Sequence, residues 1–380
     1  MPGFELIDDQ EKLAVSAVFD EGGVLFAHGF DSIRSKYHVR EFEVSCARYF
    51  SARYALALSS GTAAIKCGLK ALGVGPGDEV ITQGFNFIAT VEAIVDCGAV
   101  PVICSVDKNL HFDIDSCLEK ITASTKAIIV VHMLGIPGPI GLLNSTLAAH
   151  SFDIPIIEDA CEAVGARIGN RFAGTLTDIG IFSFDHGKNI TCGEGGMLLT
   201  SSSDIFNYVR SYSDHGHRLE DGVPRGIDRA AMPGFNYRLT EMQAAVGKVQ
   251  LSKLDRLCQL NEERYSVLEK ALSSVFTLRG KASEFDNPSY DTFVITSLDD
   301  SSLSRILEVI YAHGFGTKNL PDAMFWHCAY YWSHILNPEP SPECIAVNKL
   351  LASSVAIPIL ALRSISDYEG LASAIASVAI

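Results

Sequence analysis

Long apolar runs are missing from this chain. None approaches the ~18 residues that a membrane-spanning helix needs, so no membrane partner is expected. Blocks of basic residues are missing too. With 30 Lys and Arg against 45 Asp and Glu, the formal charge is −15, which argues against nucleic acid or an anionic membrane as the main partner. The ten cysteines contain no CxxC pair and have no companion histidines at metal-ligand spacing. They read as small, reduced core residues, and no metal is expected. The opening MPGFELIDDQEK is acidic where a secretory signal would be basic and then apolar, so the expected compartment is the reducing cytoplasm. No internal repeat or low-complexity segment stands out.

What is present is enough for a globular protein with a sizeable core: 380 residues, 48% of them hydrophobic and 20% charged. One large domain over 1–250 and a smaller one over 251–380 are expected. An amphipathic pattern at 5–20 predicts a helix that Gly22-Gly23 ends, and a second helix is predicted over Val39 to Phe50. From Tyr54 a strand, the turn SSGT and a helix carrying Ile65, Leu69 and Leu72 follow one another. Strands are then expected at Glu79 to Thr82, Val100 to Cys104, Ala127 to Val131, Ile154 to Ile157, Ile179 to Phe184 and Met197 to Thr200, with a helix from Ala89 to Cys97. Alternating strands and helices without hairpin signals imply an α/β fold with a mostly parallel sheet covered on both faces. A long helix from Thr240 to Glu269 stands where it can bridge the two domains. Beyond it, Phe293 to Ile295, Leu303 to Ile310 and Ser354 to Ile357 suggest a small α+β domain, and 337–342 is a proline-rich loop.

Candidate chemistry concentrates in 156–196. Asp159 and Lys188 each follow an apolar strand, and a parallel sheet brings both to its carboxyl edge, where ligands of open α/β folds gather. A lysine in a partly desolvated site has a lowered pKa and becomes nucleophilic, although a lone loop lysine is ordinarily just solvated. Asp159 suits a pyridine nitrogen, since a fixed carboxylate keeps that nitrogen protonated; it suits the cap of a following helix equally well. Glu158 is left unassigned. Ser60-Gly61-Thr62 opens a helix, where free N–H groups suit a phosphate, and Ser183 offers a hydroxyl at the same edge. Phe87 can stack on a flat cofactor or sit in the core. His215 and His217, in Asp214-His215-Gly216-His217, have no third metal ligand at a matching spacing and read as loop histidines that contact a substrate or nothing. Phe325-Trp326-His327 and Tyr330-Tyr331-Trp332 form an aromatic stretch in the small domain, suited to a sugar or to a core.

In this order and spacing, SSGTAA at 59–64, GPGDEVI at 75–81, the FNF stretch at 85–87, EDACEA at 158–163, the block from Ser183 to Gly196 and GFNYRLTEMQAA at 234–245 resemble the DegT/StrS-type sugar aminotransferases. The resemblance implies a fold-type I transferase dependent on pyridoxal 5'-phosphate. Its large domain holds a mostly parallel seven-stranded sheet, beside a smaller α+β C-terminal domain. Lys188 becomes the Schiff-base lysine and proton shuttle, and Asp159 the partner of the pyridine nitrogen. Gly61, Thr62 and Ser183 hold the phosphate, and Phe87 stacks on the ring. Glu162, where many relatives have glutamine, contacts the ring hydroxyl. Asn236 serves the phosphate of a neighbouring subunit, so a homodimer with shared active sites is expected. Glu194, His215 and His217 are the candidate substrate contacts. The implied substrates are L-glutamate and a keto- or aldehydo-sugar for amino-sugar or lipopolysaccharide biosynthesis. MPGFEL, SDHGH and TCGEGG lean towards the subgroup that aminates the C8 aldehyde of 3-deoxy-octulosonate. A related reaction, sugar dehydration, goes with histidine in place of the lysine, so Lys188 favours transamination even with His186 two residues away. A cofactor-binding regulator without catalysis is the alternative from another class.

Overall fold

A computed structural model describes residues 4–220, 223, 225–229 and 232–379. Helix α1 (Asp9–Asp20) starts at Asp8, whose side chain accepts the Gln10 N–H while Glu11 reaches back to the Asp8 N–H. That reciprocal cap satisfies two donors that the first helical turn leaves free. After α2 (His38–Phe50) the chain alternates: β1 (Tyr54–Leu58), α3 (Gly61–Ala71), β2 (Glu79–Gln83), α4 (Ala89–Asp96) and β3 (Val100–Cys104). It continues through α5 (Ile114–Lys120), β4 (Thr125–Val131), α6 (Ile140–Ala149) and β5 (Ile156–Asp159). A tight pair, β6 (Arg167–Ile168) and β7 (Arg171–Phe172), precedes β8 (Ile179–Ser183), β9 (Gly196–Thr200) and α7 (Ser203–Tyr212).

Seven of these strands form one sheet in the order β1-β9-β8-β5-β4-β2-β3. Only β9 runs against its neighbours; the other six are mutually parallel. The strands read as nearly unbroken apolar runs because both faces are covered. In β4, Ile129 and Val131 enter the core beneath α3 and α7, while Ile128 and Val130 face the core under α5 and α6. Each such side chain, taken fully out of water, contributes about 1.5–3 kcal/mol. Near β1 and β8, the second face is closed by Phe42 of α2 together with Phe182, Met197 and Leu199.

The bridging helix is α8 (Glu241–Leu272), capped by Thr240 and Gln243. Its 32 residues reach about 48 Å. Leu251 and Leu254 pack on the large sheet, whereas Tyr265, Leu268 and Leu272 join the core of a second sheet. That sheet is built from β10 (Thr277–Leu278), β12 (Thr292–Thr296) and β13 (Val355–Pro358), in the order β10-β12-β13. The strand β11 (Asp286–Asn287) instead extends the β6-β7 pair. Helices α9 (Asp300–Ala312) and α12 (Ile365–Ala376) cover the small sheet, while α10 (Met324–His327) and α11 (Pro342–Ala352) lie towards the large one. No described helix is long and apolar enough to cross a membrane. All ten cysteines are free.

Two expectations need correction. Pro342 does not continue a loop: it occupies the first turn of α11 behind the Ser341 cap, where a missing N–H costs nothing. The aromatic stretch does not stay with the small sheet either. Ile88 N–H donates to Trp326 O at 3.0 Å and Ala329 N–H to Gly84 O at 2.9 Å, which docks 324–332 on the carboxyl end of β2.

Gly196 opens β9 directly under the SSGT turn. A Cβ there would stand 2.2 Å from Ser60 O and 2.7 Å from Gly61 N, both backbone atoms that cannot swing aside. Gly196→Ala is therefore expected to cost about 2 kcal/mol or more. Thermal denaturation should read this as a Tm lower by at least ~2 °C.

Candidate active site

Because β1, β2, β4, β5 and β8 are parallel, their carboxyl ends converge on one edge, and a cavity of about 310 Å³ opens there. Its wall includes Gly61, Thr62, Phe87, Asp159 and Glu162. Ser183, Lys188 and Glu194 complete the expected residues found in it. Three others are elsewhere.

The turn comes first. Ser60 caps α3 by accepting the Ala63 N–H at 3.0 Å, which leaves the Gly61 and Thr62 N–H groups without intrahelical acceptors. A Cβ on Gly61 would meet Cys161 Sγ and Ser183 Cβ at 3.0 Å, so glycine lets the helix start press against both. The result is a positive helix end facing Ser183, a setting that favours an anion.

Asp159 ends β5 and is buried. Oδ1 accepts the Cys161 N–H and Oδ2 accepts the Thr90 hydroxyl, both at 3.1 Å. No helix follows it: residues 160–166 are turns, which removes the helix-cap alternative. Glu158, on the opposite face of the strand, is absorbed by structure. It accepts N–H groups from Gly174 at 2.8 Å and Leu176 at 2.6 Å. His132 completes this shell, since Nδ1 accepts from Gly138 N–H at 2.8 Å and Nε2–H points at Glu158 from 3.2 Å.

Lys188 is carried by a loop that Phe184, Asp185 and Asn189 pin. Lys188 N–H donates to Asp185 O at 3.0 Å, and the Asn189 amide to Val164 O at 3.0 Å. Its Nζ lies 3.7 Å from Glu162. Here the lowered pKa expected of a desolvated amine is overturned. Burial does push Lys188 down, but the Glu162 carboxylate, with Cys161, Asp159 and Asp185 behind it, outweighs burial and raises the lysine above its ordinary range. Beside these groups Nζ is held as an ammonium.

Glu162 is the hub of the pocket. It accepts from Leu134 N–H at 3.2 Å and from the Asn319 amide at 3.0 Å, and His327 Nε2 stands 3.8 Å away. Burial pushes its carboxyl up, yet Lys188, then Lys318 and His327, hold it down at about 2. A depressed carboxylate contributes stability that is complete above its unfolded value near 4.5 and is lost as pH falls through about 2. Urea unfolding of the cofactor-free protein should accordingly lose stability more steeply between pH 4.5 and 2 in the wild type than in Glu162→Gln; parallel pH curves would refute this.

Lys318, Asn319 and His327 escaped the sequence reading as site residues. His327 lay inside the aromatic stretch, and its ring leans on Phe87 with centroids 5.3 Å apart. Thr90, in the first turn of α4, also carried no signal. By contrast, His215 and His217 do not line the cavity. Asp214 is buried against Arg225 and Arg238, and His217 Nδ1 lies 3.4 Å from Asp228. Asn236 bridges to Asp214 instead. His186 stacks on Phe4 at 5.4 Å. Among the described residues no cluster of three or more metal-ligating side chains occurs.

A buried acid, a lysine within reach of the same cavity, an exposed aromatic ring and a helix N-terminus beside a serine match the donor set that pyridoxal phosphate requires. Comparison with known proteins agrees. Residues 28–355 match the DegT/DnrJ/EryC1/StrS aminotransferase family. The chain is 30% identical over 293 residues to the GDP-perosamine synthase of Vibrio cholerae, covering 77% of this chain and 75% of that protein. It is 36% identical over 234 residues to the GDP-perosamine synthase of Caulobacter vibrioides, 61% of each. An aminotransferase structure from Psychrobacter cryohalolentis superposes with a TM-score of 0.86 at 25% identity, over 98% of this chain and 97% of that one. The chain belongs to the DegT/DnrJ/EryC1/StrS aminotransferase family and is a pyridoxal-phosphate-dependent sugar aminotransferase.

Proposed function

We propose that the chain moves the amino group of L-glutamate to the carbonyl of a nucleotide-linked keto-sugar. The observation that carries the chemistry is the joint placement of Lys188, Asp159 and the Ser60-Gly61-Thr62 turn around one cavity. The nucleotide-linked acceptor draws its support from the two relatives named GDP-perosamine synthase. Pyridoxal phosphate, when bound, supplies a conjugated ring that accepts electrons from the carbon losing its proton.

The residues divide the remaining work. Gly61 and Thr62 N–H groups and the Ser183 hydroxyl bind the phosphate. Phe87 covers one ring face and helps exclude water. Asp159 holds the proton on the ring nitrogen, and Glu162 faces the ring hydroxyl. Lys188 anchors the group, then takes and returns a proton at Nζ. To anchor it, the lysine first gives up the proton that Glu162 favours. Asn236 lies outside its own cavity and serves a neighbouring copy, in a homodimer with shared sites. Amino-sugar assembly of surface polysaccharide in the cytoplasm fits these substrates.

One experiment separates the acceptors. The reconstituted enzyme is converted with L-glutamate, freed of 2-oxoglutarate, and offered either a GDP-linked keto-sugar or the C8 aldehyde of 3-deoxy-octulosonate. Recovery of the starting cofactor absorbance with the nucleotide sugar is expected. Recovery with the octulosonate aldehyde alone would assign the other acceptor, and failure to release 2-oxoglutarate would turn the reading towards sugar elimination.

A further inference from the structure

A second cavity, of about 230 Å³, lies behind the strand end of β1, away from the lysine. Its wall is drawn from the loop before α2, from α2 and α7, and from the segment entering α8. It holds Arg40, Arg210, Arg238, Glu43 and His28. In a chain whose formal charge is −15, three guanidiniums around one small hollow stand out.

Arg40 is held over the Tyr37 ring at 4.2 Å, and Arg210 donates to Leu219 O at 3.2 Å. Among the described residues neither makes an ion pair. Arg238 shares Asp214 with Arg225, so those two arginines face one carboxylate. Among the described residues Glu43 is the only acid in the wall, and it spends Oε1 on the Ala57 N–H at 2.9 Å. Burial pushes its carboxyl up to about 7 against the pull of that N–H, Arg210 and Arg40. Burial likewise pushes His28 down to about 4 against Asp214, with Arg225, Arg40 and Arg210 adding to the shift. The imidazole is therefore neutral at pH 7. With Arg225 set against Asp214, three arginines face at most one charge on Glu43, which leaves an excess of two positive charges or more among the described residues.

We infer that this cavity binds a phosphate group, held by Arg40, Arg210 and Arg238. Guanidinium forks match the spacing of phosphate oxygens and pair with them bidentately. A doubly charged phosphate equals the local excess. The Glu43 hydroxyl, when protonated, adds a donor, and neutral His28 adds no competing charge. The cavity shares no wall residue with the one at Ser60-Gly61-Thr62, although a backbone bridge joins Arg238 to Leu58 and Ser59 N–H donates to Tyr237 O at 2.8 Å.

The test uses the enzyme saturated with its cofactor, so that the first phosphate site is filled. Equilibrium dialysis with inorganic phosphate at fixed ionic strength is expected to find one further phosphate per chain. Arg40→Gln and Arg210→Gln should each weaken it about tenfold or more while leaving the cofactor absorbance unchanged. A parallel arm with GDP identifies the source: displacement by GDP at lower concentration than by phosphate means a nucleotide carries the group, and equal or weaker displacement means free phosphate. No binding to the saturated enzyme, or the same affinity in both arginine variants, would overturn the inference.

Discussion

Lys188→Ala is expected to lower amino transfer from glutamate by roughly a thousandfold to a millionfold, while the protein stays folded. The two halves of that expectation have different origins. Activity falls because, among the described residues, no other amine lines the cavity except Lys318, and Lys318 is tied to Asp291 at 2.5 Å. The fold survives because the carboxylate that Lys188 faces does not become an orphan: Glu162 keeps the Leu134 N–H, the Asn319 amide and the nearby His327 and Lys318. A buried charge stripped of all partners would cost several kcal/mol; one that keeps most of them loses far less. Lys188→Arg sharpens the comparison. A guanidinium restores the positive charge beside Glu162 but does not give up its proton at neutral pH, so it should recover any lost Tm without recovering turnover. Single-turnover release of 2-oxoglutarate, set beside thermal melts of the three proteins, reads both quantities. Activity of the alanine variant within tenfold of wild type would sink the assigned role.

Much of the sheet was legible from the chain because parallel strands buried on both faces advertise themselves as short apolar runs between turns. Tyr54 to Leu58 and Val100 to Cys104 match observed strands residue for residue. Strand direction was not legible. Met197 to Thr200 looks like any other apolar run, and what reverses β9 is its place between β1 and β8, a tertiary property. Helices α6 and α7 gave no expectation: α6 is apolar through most of its length and shows little period. The cofactor half of the site was legible because each of its residues sits at the carboxyl end of a strand or within about five residues beyond it. The other half was not. Asn319 meets Glu162 across 157 positions of sequence, and nothing local in TKNLP marks a residue that will face a carboxylate. The same gap explains the wrong sign for Lys188, since burial could be read from the neighbouring apolar strand but the acid opposing it could not.

Asp159→Asn is the sharper test of the cofactor chemistry, because it changes charge and almost nothing else. The amide oxygen can still accept the Cys161 N–H, and the Thr90 hydroxyl can rotate to accept from the new NH₂ where it now donates to Oδ2. The end of β5, its pairing with β4 and β8, and the Ala160 contact with Ile181 O involve backbone alone. The variant should therefore fold and melt close to wild type. What it loses is the negative charge that favours a proton on a pyridine nitrogen. Without that proton the ring is a poorer electron sink, and amino transfer is expected to fall about 10²- to 10⁴-fold, with cofactor still attached through Lys188. Thr90→Val provides the matched control. It removes one hydrogen bond from the carboxylate and leaves the charge, so its loss should be much smaller, within about tenfold. If Asp159 only braces the turn at 160–166, the order reverses: the asparagine variant retains near-normal rates and the valine variant suffers equally or more. Rates of the glutamate half-reaction for the two variants, measured at saturating cofactor, decide between a charge that drives the chemistry and a side chain that merely shapes the loop.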